Sequence, residues 1–353
     1  MLHRTLFLAT ALLSFGGAVA GCDSADPVAP PPPPPPPVED DGGGATDDDD
    51  GDDGDDDGGT VYAIPARGSA ATLDVGSWNV FYYGREGQGA SEAFQPERVE
   101  AAIEQSGVDV WALQEVADET AFALLTAALA DDTDDPGYQT LLGPSNSQSF
   151  GLRLAFVYDP ATVTFIEQRE VPGLDPFLFA FRPPIELRAS VATADGAAVT
   201  ARFIALHAKA SSDSDSYNRR LAASAELKAY IDGRLAAAPD EPVYVLGDFN
   251  DELTRSITSS QPDSPYANFL GDPAYTFATL ATEKAGLGTF CGSDDACGGS
   301  STIDHILFAG PAGAFLPATG NAQLQRYGEL LDVFTQYTDT ASDHLPVVAS
   351  FGL

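Results

Sequence analysis

The 353-residue chain is 44% hydrophobic and carries a formal charge of −36, with 53 acidic residues against 17 basic ones. That length and apolar content suffice for one large domain with a substantial core, or two small ones. The acidic excess argues against tight, non-specific binding to nucleic acid at low salt and fits a salt-rich setting, where ions screen self-repulsion.

Residues 1–21 read as a secretory signal. His3 and Arg4 make a short polar start, Leu6–Leu13 is an apolar run too short to span a membrane, and Val19-Ala20-Gly21-Cys22 resembles a bacterial lipobox. Cleavage before Cys22 would leave that cysteine to carry a lipid. The expectation is an exported lipoprotein, periplasmic or at the cell surface, held to the membrane by its N-terminal lipid rather than crossing it. An ordinary cleaved signal with a chance cysteine is the plainer alternative.

Residues 22–68 read as a linker. Pro30–Pro37 is an unbroken proline run, a stiff spacer extending roughly 3.1 Å per residue. Asp47–Asp50 and Asp52–Asp57, the latter broken only by Gly54, repel one another and offer nothing apolar to bury, so disorder is expected. A calcium-binding repeat is disfavoured, because the Asp/Gly run has no regular period and no glutamate closing a loop. From residue 61 onward 39 acids still face 16 basic residues, so the remaining domain is acidic in its own right.

Residues 69–353 read as one catalytic domain. The pattern predicts strands over 72–80 and 108–116, with a helix over 96–107 between them that starts at Pro96 and ends at Gly107. A second helix is expected over 118–130. Strands over 152–158 and 163–170 are separated by Asp159-Pro160, and strands over 185–194 and 197–207 meet at the hairpin dipeptide Asp195-Gly196. A long helix over 216–238 and strands over 242–249, 302–308 and 345–351 complete the series. Ten or so strands joined by both hairpins and helical crossovers imply two mixed sheets packed together and flanked by helices.

Six short segments at predicted strand ends carry the chemistry: Ser77-Trp78-Asn79-Val80, Leu113-Gln114-Glu115-Val116, Leu206-His207-Ala208-Lys209, Leu246-Gly247-Asp248-Phe249-Asn250-Asp251, Ile303-Asp304-His305-Ile306 and Ser342-Asp343-His344-Leu345-Pro346. Of the four histidines, the three outside the signal all fall in these segments. Each segment has a bland reading by itself. Asn79 could cap a turn, Glu115 could be a solvated strand end, Asp248 and Asn250 could build an Asx turn, and His305 could be core. Together they make a hard-oxygen metal site with acid/base partners. They do not make a zinc set, since there is no His-x-x-x-His and no cysteine cluster. Cys291 and Cys297, six apart, read as a small disulfide loop in an oxidising compartment rather than a metal site.

The six segments, in this order, resemble the metal-dependent superfamily of pancreatic-type deoxyribonucleases, apurinic-site endonucleases, inositol-polyphosphate 5-phosphatases and bacterial sphingomyelinases, over about residue 70 to the end. The resemblance implies an α+β fold, a four-layer αββα sandwich of two mixed sheets with helices outside. It implies Mg²⁺ or Mn²⁺ held chiefly by Glu115, with Asn79 close by and Asp343 across the site. Asp248 would orient or deprotonate the attacking water, Asn250 would hold water or phosphate, and His344, steered by Asp304, would contact the scissile phosphate. His207 would stabilise developing charge or protonate the leaving oxygen. Gln114 would stand behind these groups.

Arg153, Lys209 and Arg219 are candidate phosphate contacts. Arg153 could equally be a surface strand residue, and Arg219 with Arg220 could simply pair with acids along their helix. The activity expected is hydrolysis of phosphodiester bonds in DNA or RNA by an extracellular nuclease. The alternatives are a phosphatase or phospholipase C-type enzyme acting on inositol phosphates or sphingomyelin, and an inactive surface-binding module. No motif calls for a protein partner.

Overall fold

The computed structural model describes residues 62–130, 137–193, 196–298, 301–310 and 321–352. The expected signal, Cys22 with its lipobox, and the linker as far as residue 61 lie outside them.

Eleven strands form two mixed sheets among the described residues. β1 (Thr72–Tyr83), β2 (Val110–Val116), β3 (Gln139–Leu142) and β4 (Arg153–Tyr158) make the first sheet with β11 (Val347–Gly352), in the order β11-β1-β2-β4-β3. β5 (Val163–Glu170), β6 (Ile185–Ala192), β7 (Ala198–His207), β8 (Val243–Asp248), β9 (Tyr275–Phe277) and β10 (Asp304–Ala309) make the second, in the order β5-β6-β7-β8-β10-β9. The parallel pairs β1/β2 and β7/β8 are joined through helical crossovers, and the remaining neighbours are antiparallel.

Strand alternation assigns each side chain a layer. Leu73, Val75, Val110, Ala112, Phe203, Ala205, Tyr244, Leu246, Ile306 and Val347 fill the space between the sheets. Their neighbours point the other way. Trp78, Val80, Trp111 and Leu113 meet α1 (Gln95–Ser106) and α2 (Glu119–Leu129) through Val99, Ile103, Phe122 and Leu125. Ile204, Leu206, Val243 and Val245 meet α3 (Ser214–Ala237) through Ala223, Leu227 and Ile231. The result is the four-layer αββα sandwich of an α+β protein. No described helix is long and apolar enough to cross a membrane.

The helix ends follow local chemistry. Pro96 sits in the first turn of α1, and Gly107 closes it at φ 65°, in the left-handed region a glycine enters at little cost. Asp118 caps α2 by accepting from Ala121 N (2.8 Å), and Asp213 caps α3 by accepting from Ser216 N (2.9 Å). The Asp213 cap starts α3 two residues before the expected position. β3 and β9 escaped the pattern, being four- and three-residue strands at sheet edges, too short to show a period. Of the hairpin dipeptide, Asp195 lies outside the described residues and Gly196 adopts φ 81°.

One boundary is corrected. Residues 62–68, given to the linker by composition, lie on the domain. Ile64 is buried, Tyr62 packs edge-on against Phe334 (4.9 Å between centroids), Arg67 pairs with Glu329, and the Tyr327 hydroxyl donates to Pro65 O. These residues are apolar or basic, unlike the aspartates before them, and so can be buried.

Candidate active site

The apolar layer between the sheets ends at one edge, and polar side chains continue its alternation. Val75 is followed at the same parity by Ser77 and Asn79, Ala112 by Gln114, Ala205 by His207, and Leu246 by Asp248. β10 runs the other way, so its first residue, Asp304, lies level with Asp248, and His207 is level with Asp248 on the opposite side. Gly247 allows this close pairing, because a Cβ there would lie 2.2 Å from the Leu206 carbonyl oxygen.

Beyond Asn79 the backbone leaves the regular ladder. Phe81, Tyr82 and Glu115 adopt φ of 47°, 51° and 64°, and the β1/β2 register shifts there. Such conformations cost a non-glycine residue about 1–3 kcal/mol each, and they persist where surrounding bonds over-determine them. Here Phe81 N donates to Asn79 Oδ1 (3.1 Å), Tyr82 N to Glu115 Oε2 (3.2 Å), and Gln95 Nε2 to Val80 O (2.7 Å) and Ala341 O (3.0 Å). The turn aims Glu115 at Asn79, whose Nδ2 donates to Glu115 Oε1 (3.3 Å) and Asp248 Oδ2 (3.2 Å).

His344 donates from Nδ1 to Asp304 Oδ2 at 2.9 Å. This leaves Nε2 3.9 Å from Asp343 Oδ1 and 4.0 Å from Asp248 Oδ2. The ring is held by Phe290, 5.0 Å away, and the His344 carbonyl accepts from Trp78 Nε1 (3.1 Å) and the Tyr337 hydroxyl (2.7 Å). Burial opposes charge on His344, but the Asp304 carboxylate overrides it and raises the imidazole to about 10. Burial pushes Asp248 up to about 7, against the pull of His344. His207 is driven well below the usual histidine value by burial, then by Arg182 and His344. The two imidazoles therefore differ in charge. His344 is cationic, while His207 is neutral with Nε2 3.5 Å from Asp248 Oδ2 and 3.8 Å from Glu115 Oε1.

Two groups of donors could hold a metal. Asp248, Asp304 and His344 bring ligand atoms within 4.8 Å of one another. In that set Asp304 Oδ2 is taken by His344, and Asp304 Oδ1 is buried without a hydrogen-bond partner. Asn79, Glu115 and Asp343 line the adjoining cleft of about 430 Å³. Asp343 Oδ1 is buried there without a hydrogen-bond partner. Burial raises Asp343 to about 6; His344 opposes this and the like charge of Glu115 adds to it. Two carboxylates and an amide around one space, with an unmet oxygen, fit a hard divalent ion such as Mg²⁺ or Mn²⁺.

Residues 76–344 match the model of the Endonuclease/Exonuclease/phosphatase family. The chain belongs to this family. Its fold is similar to D. rerio TDP2 complexed with single-strand DNA product (TM-score 0.54, 15% identity, covering 80% of this chain and 100% of that one). It is also similar to the human Nocturnin catalytic domain with bound sulfate (0.51, 15%, 81% and 98%) and to a Bacteroides thetaiotaomicron mannosyl-6-phosphatase (0.50, 15%, 80% and 100%). No curated protein matches in sequence. Family membership and the cluster of buried acids and histidine fit a hydrolase of phosphoester bonds.

Against this family site, some expected residues fall elsewhere. Arg153 pairs with Glu119 of α2 at 3.0 Å and does not line the cleft. Lys209 and Arg219 stand beside the cleft, in an adjoining hollow. Arg220 is buried against Asp251 (2.8 Å) and supports the loop after β8. Asn250 donates its backbone N–H to Asp248 Oδ1 (2.8 Å), so the Asx turn and the site position are both present. His305 is core: its parity turns it away from the site, edge-on to Phe249 and Phe277, with Nδ1 against Thr279 Oγ1 (3.0 Å). Cys291 and Cys297 form the expected disulfide, and Cys291 N donates to Asp343 O (2.7 Å), tying the loop to the site.

Arg182 and Phe290 went unnoticed in sequence. A basic residue beside prolines in an acid-rich domain was the available signal for Arg182. Nothing marked Phe290, which reaches His344 only through tertiary pairing.

Proposed function

We propose that the chain is a divalent-metal-dependent nuclease that hydrolyses phosphodiester bonds in DNA or RNA, working outside the cytoplasm from a lipid anchor on Cys22 and a linker leading to the catalytic domain. The observation that carries the chemistry is the Asp304–His344 pair, which leaves a cationic Nε2–H facing the space between Asp248 and Asp343. Asn79, Glu115 and Asp343 would hold Mg²⁺ or Mn²⁺, which supplies charge neutralisation at a phosphate oxygen.

The chain's own residues do the rest. Asp248, kept basic by burial, accepts the proton of a water lined up opposite the leaving oxygen. Asn250 helps place that water. His344 donates from Nε2 to a non-bridging phosphate oxygen, where negative charge grows in the transition state. Neutral His207 stabilises the leaving oxygen through a hydrogen bond rather than by charge.

A phosphatase or phospholipase reading competes, because a mannosyl-6-phosphatase shares the fold as well as a DNA-bound enzyme does. The test is incubation of the purified protein with plasmid DNA, RNA, inositol phosphates and sphingomyelin, each with Mg²⁺, Mn²⁺ or EDTA, at low and high salt. Metal-dependent nicking, reduced about 10³-fold or more in His344→Ala, is expected. Phosphate or phosphocholine release without nicking moves the assignment to the competing reading. No turnover and no metal binding would leave a binding module. Fractionation of expressing cells reads the anchor in parallel: the protein should sediment with membranes and become soluble in Cys22→Ser, and an unchanged distribution refutes the lipid.

A further inference from the structure

Next to the catalytic cleft lies a second hollow of about 340 Å³, and Tyr82, Glu115 and His207 line both. Arg182, Lys209 and Arg219 also line it. Three cations together are unexpected in a domain where acids outnumber bases by 39 to 16 from residue 61 onward.

Elsewhere most basic residues are matched, while Arg85, Arg98, Arg234, Lys284 and Arg326 have no carboxylate within 4 Å among the described residues. Arg67, Arg153, Arg169, Arg188, Arg202, Arg220, Lys228 and Arg255 each pair with a carboxylate. None of the three in the hollow has such a partner within 4 Å among the described residues. Each is held instead by a neutral carbonyl: Arg182 Nη2 donates to Ala208 O (3.1 Å), Lys209 Nζ to Ala210 O (2.6 Å), and Arg219 to Phe177 O. Carbonyls fix the geometry without cancelling the charge. Burial and then neighbouring Arg219 hold Lys209 below the usual lysine range, with Asp213 acting the other way.

The rim is aromatic. Phe150 is 77% exposed, the most exposed large apolar side chain among the described residues. It is held at φ 58°, its carbonyl accepting from Arg85 Nη2 at 2.6 Å. Arg219 lies 4.1 Å over the ring of Phe177, which stiffens the guanidinium.

We propose that this hollow is a subsite for the nucleotide next to the scissile phosphate, with Arg182, Lys209 and Arg219 receiving that nucleotide's phosphate and Phe150 offering a face to its base. Unpaired cations beside an exposed aromatic are what a single strand recognises, since every base has a face to stack and every linkage a charge. The inference rests on the adjoining cleft being the catalytic site. It also answers the acidity of the chain: the surface repels a polyanion in general, and the hollow admits it at one place.

The experiment compares the full chain with Lys209→Gln/Arg219→Gln, Lys209→Gln alone and Phe150→Ala. Two substrates are used with Mg²⁺: a single-stranded pentanucleotide, and bis(4-nitrophenyl) phosphate, a diester with only one phosphate. The ratio of their kcat/KM values should fall at least tenfold in the double variant and about threefold in the single one. Phe150→Ala should raise the pentanucleotide KM about fivefold or more. Binding of a fluorescent pentanucleotide in EDTA, followed by anisotropy, should lose about one unit of salt dependence in the double variant. An unchanged ratio with an unchanged salt slope overturns the subsite, as does an equal loss on both substrates. A wild-type protein that cleaves neither substrate, yet binds the pentanucleotide with a slope that the double variant loses, would refute the nuclease reading and keep the subsite. The single variant guards against misfolding, because it leaves the Arg219–Phe177 stack in place.

Discussion

Both ends of the sandwich bury acids, yet the two ends settle their charge differently. β1 starts near Asp74 and passes through Asn79; Asp109 just precedes β2, which ends at Glu115 and Val116. At the far end, the donors to Asp74 and Asp109 are main-chain N–H groups and hydroxyls: Ser69 N (2.8 Å) and Thr72 Oγ1 (2.8 Å) for Asp74, and Asp74 N (2.7 Å) for Asp109. Burial then dominates, raising Asp74 and carrying Asp109 to about 7. At the site end, Asp304 meets an imidazolium at 2.9 Å, and Asp248 is shared between Asn79, Asn250 and two histidines. A buried acid without a cation is eased by taking up a proton. A buried acid beside a histidine is pulled back against its burial, as Asp248 is by His344.

The largest expected effect is at the site end. Asp304→Asn removes the charge that sustains the His344 imidazolium and offers an amide in its place, so turnover should fall on the order of 10³–10⁴-fold. The melting temperature should move only slightly. An activity loss matched by a large loss of stability would mean that Asp304 serves the core.

The opposite substitution, Asp109→Asn, should leave turnover alone and change stability with pH. The folded value of Asp109, about 7, lies above that of the unfolded chain, so the folded state holds the proton more tightly. Its stabilising contribution is fully present below the ordinary carboxylate range, about pH 4, and is lost as pH rises through 7. Asparagine keeps the acceptor for Asp74 N and cannot ionise. The variant should melt at the same temperature as the parent near pH 4 and about 8 °C higher at pH 8.5, for roughly 4 kcal/mol. Equal melting at both pH values would show that the carboxyl does not titrate in this range.

Smallest of all is Arg153→Ala. Its partner Glu119 is largely exposed (side chain 72%), so stability should change by less than about 0.5 kcal/mol and turnover within twofold. A tenfold loss of turnover would bring Arg153 back into the site.

The legible part of the molecule was that which repeats or punctuates. The apolar, β-branched run 72–80 and the segments joined at Asp159-Pro160 and Asp195-Gly196 read as strands, Pro96 and Gly107 bounded a helix, and polar residues at the ends of apolar runs marked the site. Illegible were elements without a period, such as Tyr275–Phe277, and side chains whose role depends on a distant partner. Arg219 and Arg220 are adjacent on one helix. Tertiary packing sends Arg220 into a buried pair with Asp251 and leaves Arg219 over Phe177 with no carboxylate.

The two Asp-His dipeptides mark the division most sharply. Sequence alone determined that acids and histidines gather at strand edges, and hence the class of chemistry, because alternation and apolar runs are local properties of the chain. It did not determine which acid serves which histidine. Asp304 and His305 are neighbours, but successive residues of a strand point to opposite faces, so His305 enters the core and Asp304 turns inward. Asp304 then finds His344, forty residues away, only because the sheets close over each other and bring the loop before β11 against the start of β10. Chain connectivity sets the direction in which each side chain points, and packing of the two sheets sets what it meets.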